Sequence, residues 1–156
     1  MSNLPLWNHQ KVAIAKGLEL EDLAIFHEIG CGKSRTAVDI VRHRCAREGR
    51  LMRTLILSPK ITLTNWKNEF AKFSKIHPRD VVVLSGSGAK RKKDLEYCIR
   101  DGMFLSKGKV ITCNYETVQM DAVFELLCSW SPEIIIADEA HRLKNPESKR
   151  AKRVVQ

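Results

Sequence analysis

The sequence predicts an α/β fold in which helices cover both faces of a doubly wound, mainly parallel sheet. Short apolar runs rich in β-branched residues alternate along the chain with longer amphipathic stretches. The short runs are almost continuously apolar, which is typical of strands buried on both faces of a parallel sheet. The alternation of such strands with helices indicates βαβ units, from which a doubly wound sheet is built.

The predicted elements follow one another in a regular order. Five runs are predicted to be strands: residues 23–26, 54–58, 81–84, 109–113 and 133–137. Helices are predicted at residues 7–17, 33–48, 61–75, 90–101 and 116–129, and a last helix begins near Glu147. Functional sites of such sheets lie at the carboxyl ends of the strands. The residues that follow the first and the last predicted strand are therefore the first candidates for a site.

Composition narrows the class of protein. The chain has 156 residues, of which 44% are hydrophobic and 29% charged, as expected for one globular domain. The net charge of +9, from 27 basic and 18 acidic residues, favours a polyanionic partner such as nucleic acid. The five cysteines include no C-x-x-C pair, which argues against a disulfide framework or a zinc ribbon. No apolar run approaches the roughly 18 residues of a membrane span, and the N-terminus lacks a signal-peptide pattern, so we expect an intracellular protein without membrane contact.

The stretch HEIGCGKS, residues 27–34, has the glycine, lysine and serine spacing of a phosphate loop. In such a loop, backbone N–H groups surround a phosphate, and the N-terminus of the following helix adds a partial positive charge. Gly30 and Gly32 would shape the loop, while Lys33 would contact the phosphates and Ser34 would bind Mg²⁺. The usual pattern has a glycine where this chain has His27. A plain strand-to-helix turn with a solvated lysine therefore remains the alternative.

A second candidate is the acidic pair in IIIADEAH, residues 134–141, directly after a very apolar predicted strand. Carboxylates at the end of a buried strand cost free energy unless they have partners, and a metal ion with a polarised water is a natural partner. Asp138 would hold Mg²⁺, and Glu139 would orient or deprotonate an attacking water. The alternative is a surface turn that opens a helix, since acids are favoured near helix N-termini.

Together these motifs resemble helicase superfamily two, and within it the Swi/Snf-type DNA-translocating ATPases. The resemblance rests on residues 6–14 (LWNHQKVAI), 27–34, 55–73 (LILSPKITLTNWKNEFAKF), 82–94, 111–118 (ITCNYETV) and 137–154 (ADEAHRLKNPESKRAKRV). The R-x-K-N extension after D-E-A-H is the most specific of these matches, because it separates this family from the RNA helicases that share the acidic box. The family commonly has aspartate at position 27, so the missing glycine is no sign of a lost site.

The resemblance implies a RecA-like fold with a site for ATP and Mg²⁺. The residues assigned to the nucleotide are Gln10, Gly30, Cys31, Gly32, Lys33, Ser34 and Arg35, with Gln10 on the adenine and Cys31 lending its backbone N–H. Lys33 and Glu139 would be the catalytic residues. Ser34 and Asp138 would hold the metal, and His141 would couple the nucleotide to the rest of the enzyme.

By the same resemblance, double-stranded DNA crosses the strand ends opposite the nucleotide. Lys60, Asn114 and Tyr115 would contact DNA phosphates, which position the DNA without reading its bases. Trp66 is expected in the core between helix and sheet rather than as a stacking platform. The basic run at residues 89–94 is either a DNA contact or a solvated helix face.

The resemblance further implies that residues 1–156 are the first, ATP-binding lobe of a two-lobed, monomeric ATPase. We expect a truncated chain without the second RecA-like lobe and therefore inactive on its own. The compact lobe favours the cytoplasm of a bacterium or of a virus-infected host over the nucleus. Two alternatives remain open: another superfamily-two helicase or restriction-type translocase, and a non-catalytic DNA-binding decoy module.

Overall fold

A parallel sheet of four strands, with helices on both faces, forms the centre of the fold. The computed structural model describes residues 5–28, 30–105 and 108–155, without the side chains of residues 101–105 and 155. The strands are β1 (Thr54–Leu57), β2 (Val81–Val83), β3 (Val110–Cys113) and β4 (Ile134–Ala137). The helices are α1 (Asn8–Glu19), α2 (Lys33–Glu48), α3 (Leu63–Phe73), α4 (Gly88–Leu105), α5 (Asp121–Trp130) and α6 (Lys149–Val155). No helix in the described ranges is long and apolar enough to cross a membrane.

The strands lie in the order β2-β3-β1-β4, and every pair is parallel. Leu57 at the end of β1 is in register with Cys113 at the end of β3 and with Ala137 at the end of β4. Three carboxyl ends therefore lie at one level. The residues that follow these strand ends consequently leave the sheet beside one another, as the predicted fold class requires.

Successive residues of β1 point to opposite faces of the sheet and enter different cores. Leu55 and Leu57 belong to the core that includes α4 and α5. Ile56, which is fully buried, belongs to the core that includes α2 and α3. Because both faces are covered, the strands can be apolar throughout, which is the pattern from which the sheet was predicted.

The prediction of a strand at residues 23–26 is wrong. This segment has no strand structure in the described part of the chain, and the Phe26 side chain is 93% exposed. A strand forms only when its backbone N–H and C=O groups pair with a neighbouring strand. An apolar run meets the side-chain requirement for a strand, but it does not supply that partner.

The other boundaries lie within two residues of the predictions, except at the end of the fourth helix, which continues to Leu105, and at the start of the fifth. Helix α2 has the predicted bounds and ends at Gly49, whose φ of 66° provides a left-handed C-cap. Helix α5 begins at Asp121 instead of residue 116. The preceding Thr117–Gln119 forms a 3₁₀ turn, in which the Thr117 hydroxyl donates to the Asn114 side chain. Such local side-chain bonds compete with helix formation.

Glu133 anchors the start of β4 to the loop that precedes β1. Its carboxylate accepts two hydrogen bonds from the Arg50 guanidinium and one from the Arg53 N–H at 2.8 Å. The bonds from Arg50 are the main cause that lowers the pKa of Glu133 from 4.5 to about 2. The ionised carboxylate is therefore the form that the fold stabilises.

The pH dependence of stability tests this anchor. Because the folded-state pKa of Glu133 lies below its ordinary value, its contribution is fully present above about pH 4.5 and is lost as the pH falls toward about 2. We expect the difference in free energy of unfolding between wild type and Glu133→Gln to be largest at neutral pH and to shrink across that acidic range in urea denaturation. Arg50→Gln should give the same profile, and a difference that stays constant with pH would contradict the assignment.

Candidate nucleotide-binding site

The glycine loop leads directly into the N-terminus of α2. Gly30 and Gly32 have φ values of 85° and 72°, in the left-handed region that glycine adopts most readily. The first bond of the helix runs from the Thr36 N–H to the Gly32 carbonyl at 3.0 Å. The N–H groups of residues 33–35 precede that bond, and no described side chain caps the helix. This arrangement fits a phosphate group, because a helix N-terminus offers both donors and a partial positive charge.

The Gln10 side chain forms hydrogen bonds with the backbone of the glycine loop. Gln10 is only 3% exposed, and its Nε2 donates to the carbonyls of Cys31 and Gly32 at 3.4 and 3.5 Å. Its Oε1 accepts from the Trp7 N–H at 2.9 Å. Both ends of the amide are therefore engaged within the protein. The contact of Gln10 with adenine stays a prediction.

The Lys33 side chain folds back and bonds to the backbone of the glycine loop. Its Nζ donates to the His27 carbonyl at 2.8 Å and to the Glu28 carbonyl at 3.1 Å. A lysine ammonium has three N–H donors, so a third remains for a phosphate. The His27 ring packs edge-on against His9, with centroids 4.7 Å apart. Burial, and then the charges of His9 and Lys33, lower the pKa of His27, which favours a neutral imidazole beside the ammonium.

Two loop residues make contacts within the protein that were not predicted. The Cys31 N–H donates to the Glu28 carbonyl at 3.3 Å, so it is engaged within the loop rather than offered to a phosphate. The Arg35 guanidinium lies over the Phe73 ring, 4.7 Å from its centroid, and 3.7 Å from the Asp39 carboxylate. The side chain of Arg35 thus joins α2 to the end of α3. Its backbone N–H remains at the start of the helix.

Asp138, directly after β4, is the carboxylate of the acidic box that is held within the fold. Its Oδ2 accepts a hydrogen bond from Trp66 Nε1 at 3.1 Å, and its carbonyl accepts one from the Tyr115 hydroxyl at 2.6 Å. Burial raises the pKa of Asp138, while the Trp66 bond and the positive charge of Lys33 oppose that rise. Helix α2, which follows the glycine loop, packs in one core with Ile134 and Ile136 of β4, so the fold places the two candidate motifs on a helix and a strand that pack together.

Trp66 is 4% exposed, which confirms its expected place in the core. Its bond to Asp138 was not predicted. The sequence signal that could have suggested it is a tryptophan on the helix after a neighbouring strand, because a buried indole N–H must find an acceptor.

Glu139 adopts a left-handed backbone conformation, with φ 55° and ψ 48°. Such a conformation is costly for a residue other than glycine and is often found at functional sites. The Glu139 carboxylate lies 3.1 Å from His141 Nδ1, and both side chains are more than half exposed. The predicted water-orienting carboxylate and the predicted coupling histidine are thus direct neighbours. Among the described residues, no group of three or more potential ligands forms a metal cluster of its own.

Two of the three predicted DNA contacts are not available as side chains. Tyr115 is fully buried, with its hydroxyl on the Asp138 carbonyl. Asn114 is also buried, and its amide donates to Glu116 while its oxygen accepts from Arg91 at 3.4 Å. Both side chains serve the interior, and a contact of residues 114 and 115 with DNA phosphates stays a prediction. Lys60, at the start of a 3₁₀ turn after β1, is exposed.

The contact between Gly32 and Gln10 can be tested by substitution. A Cβ built at Gly32 would overlap the Gln10 amide nitrogen, whereas one at Gly30 would meet nothing within 4 Å. Both alanines would incur the left-handed backbone cost of about 1–2 kcal/mol. We expect Gly32→Ala to lower the free energy of unfolding more than Gly30→Ala does, as measured by urea denaturation. Adding Gln10→Ala should remove the excess, and equal losses for the two glycines would refute the contact.

The chain matches known proteins over most of its length. A family model described as the SNF2-related domain matches residues 13–156. A probable ATP-dependent DNA helicase of Arabidopsis thaliana, CHR12, is 31% identical over 125 residues, which cover 80% of this chain and 11% of that protein. A RAD54-like DNA repair and recombination protein of Drosophila willistoni is 30% identical over 127 residues, which cover 78% of this chain and 16% of that protein. The chain thus spans less than a fifth of the length of these relatives.

A solved structure has the same fold. The structure titled "Sulfolobus solfataricus SWI2/SNF2 ATPase core in complex with dsDNA" aligns with a TM-score of 0.70 and 20% sequence identity, over 97% of this chain and 29% of that one. This likeness confirms the predicted RecA-like α/β fold. Because the SNF2-related domain model matches almost the whole chain, from residue 13 to residue 156, this chain belongs to the SNF2-related domain family.

Proposed function

We propose that this chain is the ATP-binding lobe of a DNA-dependent ATPase of Swi/Snf type, which couples ATP hydrolysis to movement along duplex DNA. The observation that carries the proposal is the packing of α2, which begins at the glycine loop with Lys33, in one core with β4, the strand that leads into Asp138. A phosphate-binding cation and a half-buried carboxylate at one edge of a parallel sheet are the groups that a nucleotide with Mg²⁺ requires. The membership of the SNF2-related domain family supports the same reaction.

Each residue of the site has a distinct task in this proposal. The N-terminus of α2 and the third N–H of Lys33 bind the phosphates. Ser34 and Asp138 would hold Mg²⁺, which supplies neutralisation of the charge that develops on the transferred phosphoryl group. Glu139, beside His141, would accept the proton of the attacking water.

The DNA and the second lobe complete the proposal. The net charge of +9 favours a polyanion, and the structural neighbour was solved with duplex DNA. A second RecA-like lobe would supply an arginine finger, a group that contributes roughly 10³–10⁵ in rate. We therefore expect this lobe alone to bind nucleotide and to turn it over very slowly.

Calorimetric titration with ADP or ATP in the presence of Mg²⁺ tests the nucleotide site. We expect wild type to bind and Lys33→Ala to lose roughly 10–100-fold in affinity, since a hydrogen-bonded charge is removed from the phosphates. Lys93→Ala is the matched control, because Lys93 is an exposed lysine of α4, the helix that packs on the other face of the sheet. A wild-type chain that folds but binds no nucleotide, or a Lys33→Ala variant that binds as wild type does, would contradict the proposal.

The salt dependence of DNA binding tests the role of Lys60. In the protein with both lobes, Lys60→Ala should weaken binding to duplexes of any sequence about equally and reduce the slope of log affinity against log salt by about one. Lys75→Ala is the control, since Lys75 is also exposed but follows the opposite end of α3. A loss of DNA affinity that depends on the DNA sequence would argue against a phosphate contact by Lys60. A DNA affinity that is the same with and without ATP would favour a decoy module.

A further inference from the structure

We propose that Trp66 is a positioning residue for the metal-binding carboxylate of Asp138. Its indole N–H donates to Oδ2 at 3.1 Å and so orients the carboxylate that is proposed to hold Mg²⁺. The inference rests on the proposed function and adds a role for α3 in the nucleotide site. Residues that orient a metal ligand typically change metal affinity by roughly 10–100-fold when they are replaced.

Packing fixes the orientation of the Trp66 ring. The side chain is 4% exposed and lies in the core with Ile56 and Phe70, both of which are fully buried. An indole N–H can only donate, and a buried donor without an acceptor is costly. The one polar atom of the ring, Nε1, therefore needs an acceptor, and the Asp138 carboxylate provides it. Because the ring is held on its apolar faces, it presents that donor at a defined place.

Asp138 is held at three points by three separate segments. Its N–H donates to the Leu57 carbonyl at the end of β1, at 2.8 Å. Its carbonyl accepts from the hydroxyl of the fully buried Tyr115 at 2.6 Å. Its carboxylate accepts from Trp66. Backbone and side chain are thus both fixed, which is the condition for a ligand that is ready to bind its metal.

The proposal differs from a purely structural role in what it predicts for magnesium. A tryptophan that only fills the core would support the whole lobe, so its loss would weaken nucleotide binding with and without Mg²⁺ alike. A residue that positions Asp138 would affect only the part of the affinity that depends on Mg²⁺. The ratio of the nucleotide affinity with Mg²⁺ to the nucleotide affinity without Mg²⁺ separates these roles. A general loss of binding by the phosphate loop lowers both affinities and leaves their ratio unchanged.

The first experiment measures nucleotide affinity with Mg²⁺ and with EDTA by calorimetry. Trp66→Phe keeps most of the apolar ring and removes the donor. Trp130→Phe is the matched control, since Trp130 is 7% exposed and packs in the core on the other face of the sheet. We expect Trp66→Phe to lose roughly 10–100-fold of the affinity measured with Mg²⁺ and little of that measured in EDTA. Trp130→Phe should leave the ratio unchanged.

The outcomes separate this inference from the proposed function. If wild type binds nucleotide more tightly with Mg²⁺ and Trp66→Phe keeps the same ratio, the positioning role is overturned while the proposed function stands. Equal losses with Mg²⁺ and with EDTA would also overturn it. If wild type binds no nucleotide under either condition, the proposed function itself fails and the positioning role fails with it.

The second experiment requires no nucleotide. The chain has three tryptophans, so a ¹⁵N spectrum should contain three indole N–H signals, and Trp66→Phe identifies the one from Trp66. Asp138→Ala should shift this signal and speed its exchange with solvent, while the signals of Trp7 and Trp130 stay in place. An unchanged Trp66 signal would refute the hydrogen bond on which the inference rests.

Discussion

The register of three parallel strands is the constraint on which the site depends. Leu57, Cys113 and Ala137 end their strands at one level, so the chain leaves the sheet three times at one edge. Asp138 is fixed there by its own backbone bond to β1. A register slip of one residue would turn every side chain of a strand to the other face. Such a slip would exchange side chains of different shape between two closely packed cores, so the packing of both cores holds the acidic box in place.

Two buried aromatic side chains hold Asp138 through hydrogen bonds from their polar atoms. Trp66 and Tyr115 are buried, yet each uses its polar atom on Asp138. Trp66 lies on the helix that follows the exposed Lys60, and Tyr115 lies in the turn after β3. Of these residues, Lys60 and Tyr115 were predicted to contact DNA, whereas Trp66 was predicted to lie in the core. The carboxylate proposed to hold Mg²⁺ is therefore supported by two segments that follow different strands of the sheet, β1 and β3.

The glycine loop is organised by its own contacts as well. Gln10 from α1 donates to two loop carbonyls, and Lys33 donates to two others. These four hydrogen bonds hold the backbone at both the start and the end of the loop. The N-terminus of α2 adds backbone N–H donors and a partial positive charge at the end of this loop. His27 contributes its backbone carbonyl to this arrangement, so the bond to Lys33 does not depend on the side chain at this position.

The sequence by itself determined the elements whose signals are local. The bounds of α2, the positions of four strands, the burial of Trp66 and the two phosphate-site motifs follow from periodicity, glycine placement and spacing within short stretches. Only the tertiary structure decided what depends on a distant partner. The segment at residues 23–26 has the composition of a strand but no neighbour to pair with, and Tyr115 and Asn114 turn inward because acceptors and donors from other segments meet them there. The bond between Trp66 and Asp138 joins residues 72 positions apart. Local composition specifies that a buried polar atom needs a partner, whereas the packing of the elements selects which partner it has.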